Sequence, residues 1–215
     1  MSASVLGKSI PRLDARAKVM GTSQYPQDFN LPEQLHAAVV WSAHPHARVL
    51  GIDTSAADSI PGVVHVLTYR DVPVNEYGIF IDDQPVLVPE GGKVRWLGDR
   101  IAIVVAESER IARRAVDQVQ VKYEPLPVVS SPQEAMRDGA PLVHERLDTN
   151  VFAHIPVRKG DCDVAFAQAD VIVESSYATQ AIEHAYLQPE AGIGYIDEEG
   201  RVAVIAAAQW PHDDL

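Results

Sequence analysis

Residues 98–127, GDRIAIVVAESERIARRAVDQVQVKYEPLP, read as strand, helix, strand. Ile101 to Ala106 is a short apolar run rich in β-branched residues, which suits a strand covered on both faces. Ser108 stands at the N-cap position, where its hydroxyl accepts from an otherwise unpaired backbone N–H. Glu109 then puts negative charge on the positive end of the helix dipole. Ile111, Ala112, Ala115, Val116 and Val119 recur at helical spacing, while Arg110, Arg113, Arg114 and Asp117 face outward. Val119, Val121 and Tyr123 alternate with Gln118, Gln120 and Lys122, which predicts a second strand with one wet face. Pro125 and Pro127 close it, because proline donates nothing to a sheet ladder. The unit carries no reactive group; it speaks to fold.

Upstream the same order recurs. Leu35–Trp41 predicts a strand, Thr54 caps a short helix over Ser55–Ser59, Pro61-Gly62 stops it, and Val63–Leu67 is the next strand. Two strand–helix–strand units in tandem predict a small α/β sandwich with helices against a sheet. Residues 1–30 read as an extended arm punctuated by Pro11, Gly21 and Pro26. Residues 74–97 form a long connection in which the Gly91-Gly92 pair makes a turn. Residues 128–149 lose the apolar period and gain Pro, Ser and charge, which predicts a linker. A further unit starts near Asn150. Its elements are a helix over Asp161–Ala169 with Val164, Ala165 and Phe166 inside, a strand over Val171–Ala178, and two strands joined at Asp197–Gly200. The last of these strands, Val202–Ala208, runs straight toward the C-terminus with nothing to cover it.

Composition narrows the function. The chain of 215 residues is 47% hydrophobic and 22% charged, ordinary for a soluble globular protein. A net charge of −12 argues against sequence-independent binding to nucleic acid or to an anionic membrane, since both need a basic patch. A lone cysteine, Cys162, excludes an intrachain disulfide and any CxxC motif, and suits a reducing compartment. The polar N-terminus is unlike a secretory signal and no run of 18 apolar residues occurs, so a cytoplasmic protein is expected.

No self-sufficient catalytic motif is present: no GxSxG, HExxH, Walker A or GxGxxG after a strand. His44 and His46 around Pro45, with Asp53, are conceivable metal ligands, but turn residues are the plainer reading. Glu183-His184 before Tyr186 and Glu190 is a denser polar cluster. A histidine beside carboxylates is an acid–base pair in some enzymes and a hydrogen-bonded structural residue in more. Gln209, at a strand's end, is placed to present an amide donor.

Several strings, in order along the chain, carry a resemblance. They are Arg12-Leu13-Asp14, Lys18-Val19-Met20-Gly21, Ser42-Ala43-His44-Pro45-His46-Ala47-Arg48 and Gly98-Asp99-Arg100 through Glu107. Val121-Lys122-Tyr123-Glu124-Pro125-Leu126-Pro127, Gly160-Asp161 and Glu183-His184-Ala185-Tyr186-Leu187-Gln188-Pro189-Glu190 follow. Together they resemble the molybdenum-binding subunit of the xanthine dehydrogenase/aldehyde oxidase family, the molybdenum hydroxylases. The resemblance implies an α+β fold, with an α/β hammerhead domain over 18–127 and the start of a molybdopterin-binding domain over 150–215. Residues 1–17 are then an arm and 128–149 a linker.

It implies a molybdenum–molybdopterin cofactor, in a dinucleotide form, with 2Fe-2S clusters and FAD on an iron–sulfur subunit and an FAD subunit. A small-molecule substrate, a heteroaromatic or an aldehyde, is oxidised with oxygen from water. Gln209 matches the family's glutamine beside the metal. Glu183, His184 and Glu190 are expected to shape the surroundings without chemistry, and no residue here ligates the metal directly. Ala207-Ala208 stand where the family has Ser-Thr, and Gln188 where many relatives carry Glu. The family's glycine-rich loop and its catalytic glutamate have no counterpart in these residues. The expected assignment is therefore the N-terminal piece of a molybdenum subunit, split or truncated, completed by the remainder. The rival assignment is a non-catalytic module that docks iron–sulfur or flavin partners.

Overall fold

The computed structural model of the chain describes residues 6–78, 81–185 and 189–208. Two compact units result, residues 33–172 and residues 1–32 together with 173–215.

The larger unit starts with β1 (His36–Trp41), β2 (Ala47–Asp53), helix α1 (Ser55–Asp58) and β3 (Val63–Leu67). Short β4 (Glu76–Tyr77), β5 (Gln84–Pro85) and β6 (Lys93–Val94) come next. The deciding stretch forms β7 (Arg100–Ala106), α2 (Glu109–Val116) and β8 (Gln120–Pro125), and two short helices follow, α3 (Pro132–Ala135) and α4 (Cys162–Gln168). Within 98–127 the expected elements are all present. Ser108 Oγ accepts from the Ile111 N–H, and Arg113 pairs with Glu109 one turn away at 2.6 Å. Ala112 and Ala115 are buried on the inner face of α2.

The sheet assignment differs from the sequence expectation. β7 is the middle strand of an antiparallel sheet ordered β1-β7-β3, whereas β8 belongs to a second antiparallel sheet ordered β6-β2-β8. Both edges of β7 are taken, His36–Trp41 lying along one and Val63–Leu67 along the other, so β8 has no edge to join there and pairs with β2. The upstream unit makes the same passage in reverse, from β2 in the second sheet through α1 to β3 in the first. The helices therefore link two sheets. One core serves both, built from Val40, Val49, Ala57, Val66, Val94, Ile101, Val104 and Ala115.

Two local expectations are corrected. Thr54 makes no capping bond to α1; Asp53 Oδ1 takes the Ser55 N–H at 3.0 Å and the Ser55 hydroxyl at 2.6 Å instead. Val164 and Phe166 on α4 are exposed, and Val171–Ala178 forms no strand. The Gly91-Gly92 pair does make a turn: Gly91, at φ +77°, donates to the Val49 carbonyl, and Gly92 accepts from the Val49 N–H.

The other unit holds a five-residue helix (Ala15–Val19) inside the expected extended arm, a 3-10 turn over Pro26–Asp28, and a hairpin of β9 (Gly192–Ile196) and β10 (Val202–Ala206). The hairpin turn falls at Asp197–Gly200 as expected, with Gly200 at φ +80° donating to the Asp197 carbonyl.

Candidate functional site

The residues expected near a cofactor flank the β9–β10 hairpin in sequence. Gln209, three residues past β10, lies outside the described residues, as does Gln188. Glu183 and His184 are exposed on a stretch with neither helix nor strand, and Glu183 Oε1 accepts from the His184 backbone N–H at 3.0 Å. Ala185 follows in the left-handed region at φ +49°, a conformation that costs a residue with a Cβ. Glu190 is exposed two residues before β9. These side chains are available to a ligand, but the described residues do not draw them into a shared pocket.

The hairpin itself is apolar on both faces. Ile193, Tyr195, Ala203 and Ile205 are half-buried, while Ile196, Val202 and Val204 are exposed. Its turn is set electrostatically: backbone N–H groups and the guanidinium of Arg201 hold the Asp197 carboxyl below its ordinary value.

His44 and His46 do not converge on a metal site, and no group of three or more His, Cys, Asp or Glu among the described residues could hold one. The His44 ring meets the Tyr123 ring edge-on at 4.9 Å. His46 is buried, its Nδ1 paired with the Pro127 carbonyl and its Nε2 without a partner among the described residues.

Sequence reading missed a polar cluster built where residues 128–150 lie against the 81–99 region. Asp83, 4% exposed, pairs with Nδ1 of His144 and lies 3.8 Å from an Arg95 guanidinium nitrogen. Arg95 also donates to the carbonyls of Asp83 (2.7 Å) and Val143 (3.0 Å). Lys93, 7% exposed, donates to the Leu142 carbonyl at 2.7 Å and faces Glu145 at 3.4 Å. Burial pushes its ammonium below the ordinary lysine value, against the pull of Glu145. Asn150 ties the segment to itself by donating to Ala135 and Pro141 and accepting from the Val143 N–H. A cavity of about 360 Å³ opens between Ser131, Ala135, Val143, Leu147 and Asn150. Another of about 260 Å³ lies beside Tyr77, Trp96, Arg100 and His144. Asp83 and His144 are 61 positions apart, so no local motif could announce them.

Among the described residues no helix is long and apolar enough to cross a membrane.

Comparison with known proteins fits this architecture. Residues 20–127 match the model of the aldehyde oxidase and xanthine dehydrogenase a/b hammerhead domain, and residues 143–214 that of the molybdopterin cofactor-binding domain. The chain is 39% identical over 211 residues to the nicotinate dehydrogenase large molybdopterin subunit of Eubacterium barkeri, covering 98% of this chain and 49% of the relative. Among solved structures, aldehyde oxidoreductase from Desulfovibrio desulfuricans superposes with a TM-score of 0.83 at 37% identity, over 93% of this chain and 23% of that one. Quinoline 2-oxidoreductase from Pseudomonas putida gives 0.82 at 26% identity, over 94% and 27%. The chain thus spans half or less of the length of these relatives. With the hammerhead match alone covering half of its residues, and the cofactor-domain match following in order, the chain belongs to the aldehyde oxidase and xanthine dehydrogenase family.

Proposed function

We propose that this chain supplies the hammerhead domain and the first cofactor-domain segment of a molybdenum hydroxylase, acting on a heteroaromatic or aldehyde carbon with oxygen from water. The observation that carries the reading is the uninterrupted order of the two family matches along one chain. On this reading the molybdenum–molybdopterin cofactor, in a dinucleotide form, is shared with the remainder of the subunit. It supplies the two-electron oxidation, and 2Fe-2S and FAD partner subunits or domains take the electrons onward in the cytoplasm.

The residues present fit such a group. Gln209 offers a carboxamide with two donors and an acceptor, and the small side chains of Ala207 and Ala208 leave the backbone before it open to close approach. Gln209 would donate a hydrogen bond toward a ligand of the metal, and Glu183, His184 and Glu190 would shape the surroundings without performing chemistry. The acid–base glutamate is assigned to the remainder of the subunit.

The test is to isolate the tagged chain from its native cell and measure molybdenum and co-purifying polypeptides. Molybdenum, a larger polypeptide, and iron–sulfur and flavin subunits are expected together. In that complex Gln209→Ala should lower turnover by about 10²-fold, the cost of one preorganised donor, with molybdenum content unchanged. A metal-free chain with no such companions overturns the reading. A second reading, a docking module for iron–sulfur or flavin partners, is favoured by the position of the core: every buried residue described lies between Val40 and Ala115. It predicts that Gln209→Ala leaves partner capture and turnover untouched.

A further inference from the structure

The turn from Arg95 to Asp99 holds an exposed indole in a fixed pose. Asp99 Oδ2 accepts from the backbone N–H groups of Arg95 (2.6 Å) and Trp96 (3.3 Å), and the Asp99 N–H returns to the Trp96 carbonyl at 3.2 Å. The Trp96 ring crosses so close over Gly98 that an added Cβ would stand 1.8 Å from two of its carbons. The residue is nevertheless 61% exposed. Immobilising a large apolar ring in water is unfavourable unless something covers it.

Beside it stands a guanidinium with no counter-anion among the described residues. Arg100 donates to the Tyr77 hydroxyl at 2.7 Å and lies over the Tyr77 ring at 5.7 Å, and no carboxylate among the described residues comes within ion-pair distance. The surrounding charges are already matched: Arg95 and His144 with Asp83, Arg146 with both oxygens of Glu76, and the Asp99 oxygen with backbone amides. Tyr77, Arg95, Trp96, Asp99, Arg100 and His144 enclose the cleft of about 260 Å³. Its volume suits one small ring and falls just below the usual range of ligand pockets.

We propose that this cleft binds a small planar aromatic carboxylate, with the carboxylate on the Arg100 guanidinium and the ring against Trp96 and Tyr77. A planar fork pairs with a carboxylate through two parallel hydrogen bonds, and the phenol of Tyr77 fixes the fork in advance. The aromatic walls give the ring an apolar seat with favourable edge or stacked contacts. The site goes beyond the molybdenum reading and does not depend on it.

The test is a titration of the ¹⁵N-labelled 215-residue chain with benzoate, read on the Trp96 indole N–H, which Trp96→Phe assigns. A saturating shift is expected. Benzyl alcohol, with the ring but no charge, and acetate, with the charge but no ring, should each bind at least about tenfold more weakly. Arg100→Gln should weaken benzoate at least about tenfold, and Tyr77→Phe, which keeps the ring but releases the guanidinium, several-fold. Dispersion of the β7 amides verifies that each variant is folded; where Arg100→Gln loses it, Arg100→Lys replaces it with the same expectation of weaker binding. A shift that does not saturate, acetate binding as well as benzoate, or undiminished binding in the folded Arg100 variant overturns the proposal.

Discussion

Asp14 shows what a single exposed carboxylate can do at the edge of a fold. It accepts from the Arg12 side chain and pairs with Lys18 at 3.0 Å across the five-residue helix. The hydrogen bond from Arg12, then that from Lys18, holds its pKa down to about 2 from 3.8. A carboxyl depressed in the folded state contributes stability above its unfolded value and loses it as pH falls through the folded one. The Ala15–Val19 amide shifts should therefore hold down to about pH 3.8 and change between there and about 2, and Asp14→Asn should abolish that transition in an NMR pH series. Nothing in the apolar pattern betrays this helix, since five residues are too few to show a period. Ser108 is the opposite case, legible because serine, a following acid and an apolar face coincide. Ser108→Ala should lower stability by about 1 kcal/mol in urea unfolding, and Ser108→Asp should retain it. Thr54 makes no cap; the carboxylate of the neighbouring Asp53, a stronger acceptor than a hydroxyl, takes the first helical N–H, that of Ser55, instead.

At the scale of elements, β7 carries the most weight. Ile101 is fully buried in the middle strand of its sheet, so Ile101→Ala should cost about 2–5 kcal/mol, read as a fall in the urea midpoint at unchanged slope. Its β-branched run was readable from sequence because it is buried whichever strands flank it. The partner of β8 was not, because pairing depends on which sheet edges are left free, and that is decided by strands more than 50 residues upstream. The same limit explains Val171–Ala178. A run opening with three β-branched residues has the propensity for a strand, but a strand exists only with a ladder partner, and among the described residues this run has none.

For the molecule as a whole, the segment expected as a linker is held by side chains far apart in sequence, through Lys93, Arg95 and His144. Asn150→Ala removes three of its hydrogen bonds. Hydrogen exchange over residues 130–150 should then accelerate about 10- to 100-fold while β7 amides keep their protection. Glu183, His184 and Glu190 were legible as a polar string and Gln209 as a strand-end amide, but only the resemblance tied them to a cofactor: the first three are exposed, and Gln209 lies outside the described residues. The double passage between sheets has a consequence for synthesis. His36 must wait for Ala106, and Ile52 for Val121, before either finds its strand neighbour. While the chain has emerged only as far as residue 99, the first sheet has two outer strands and no middle, so its apolar faces stay uncovered until the deciding stretch follows.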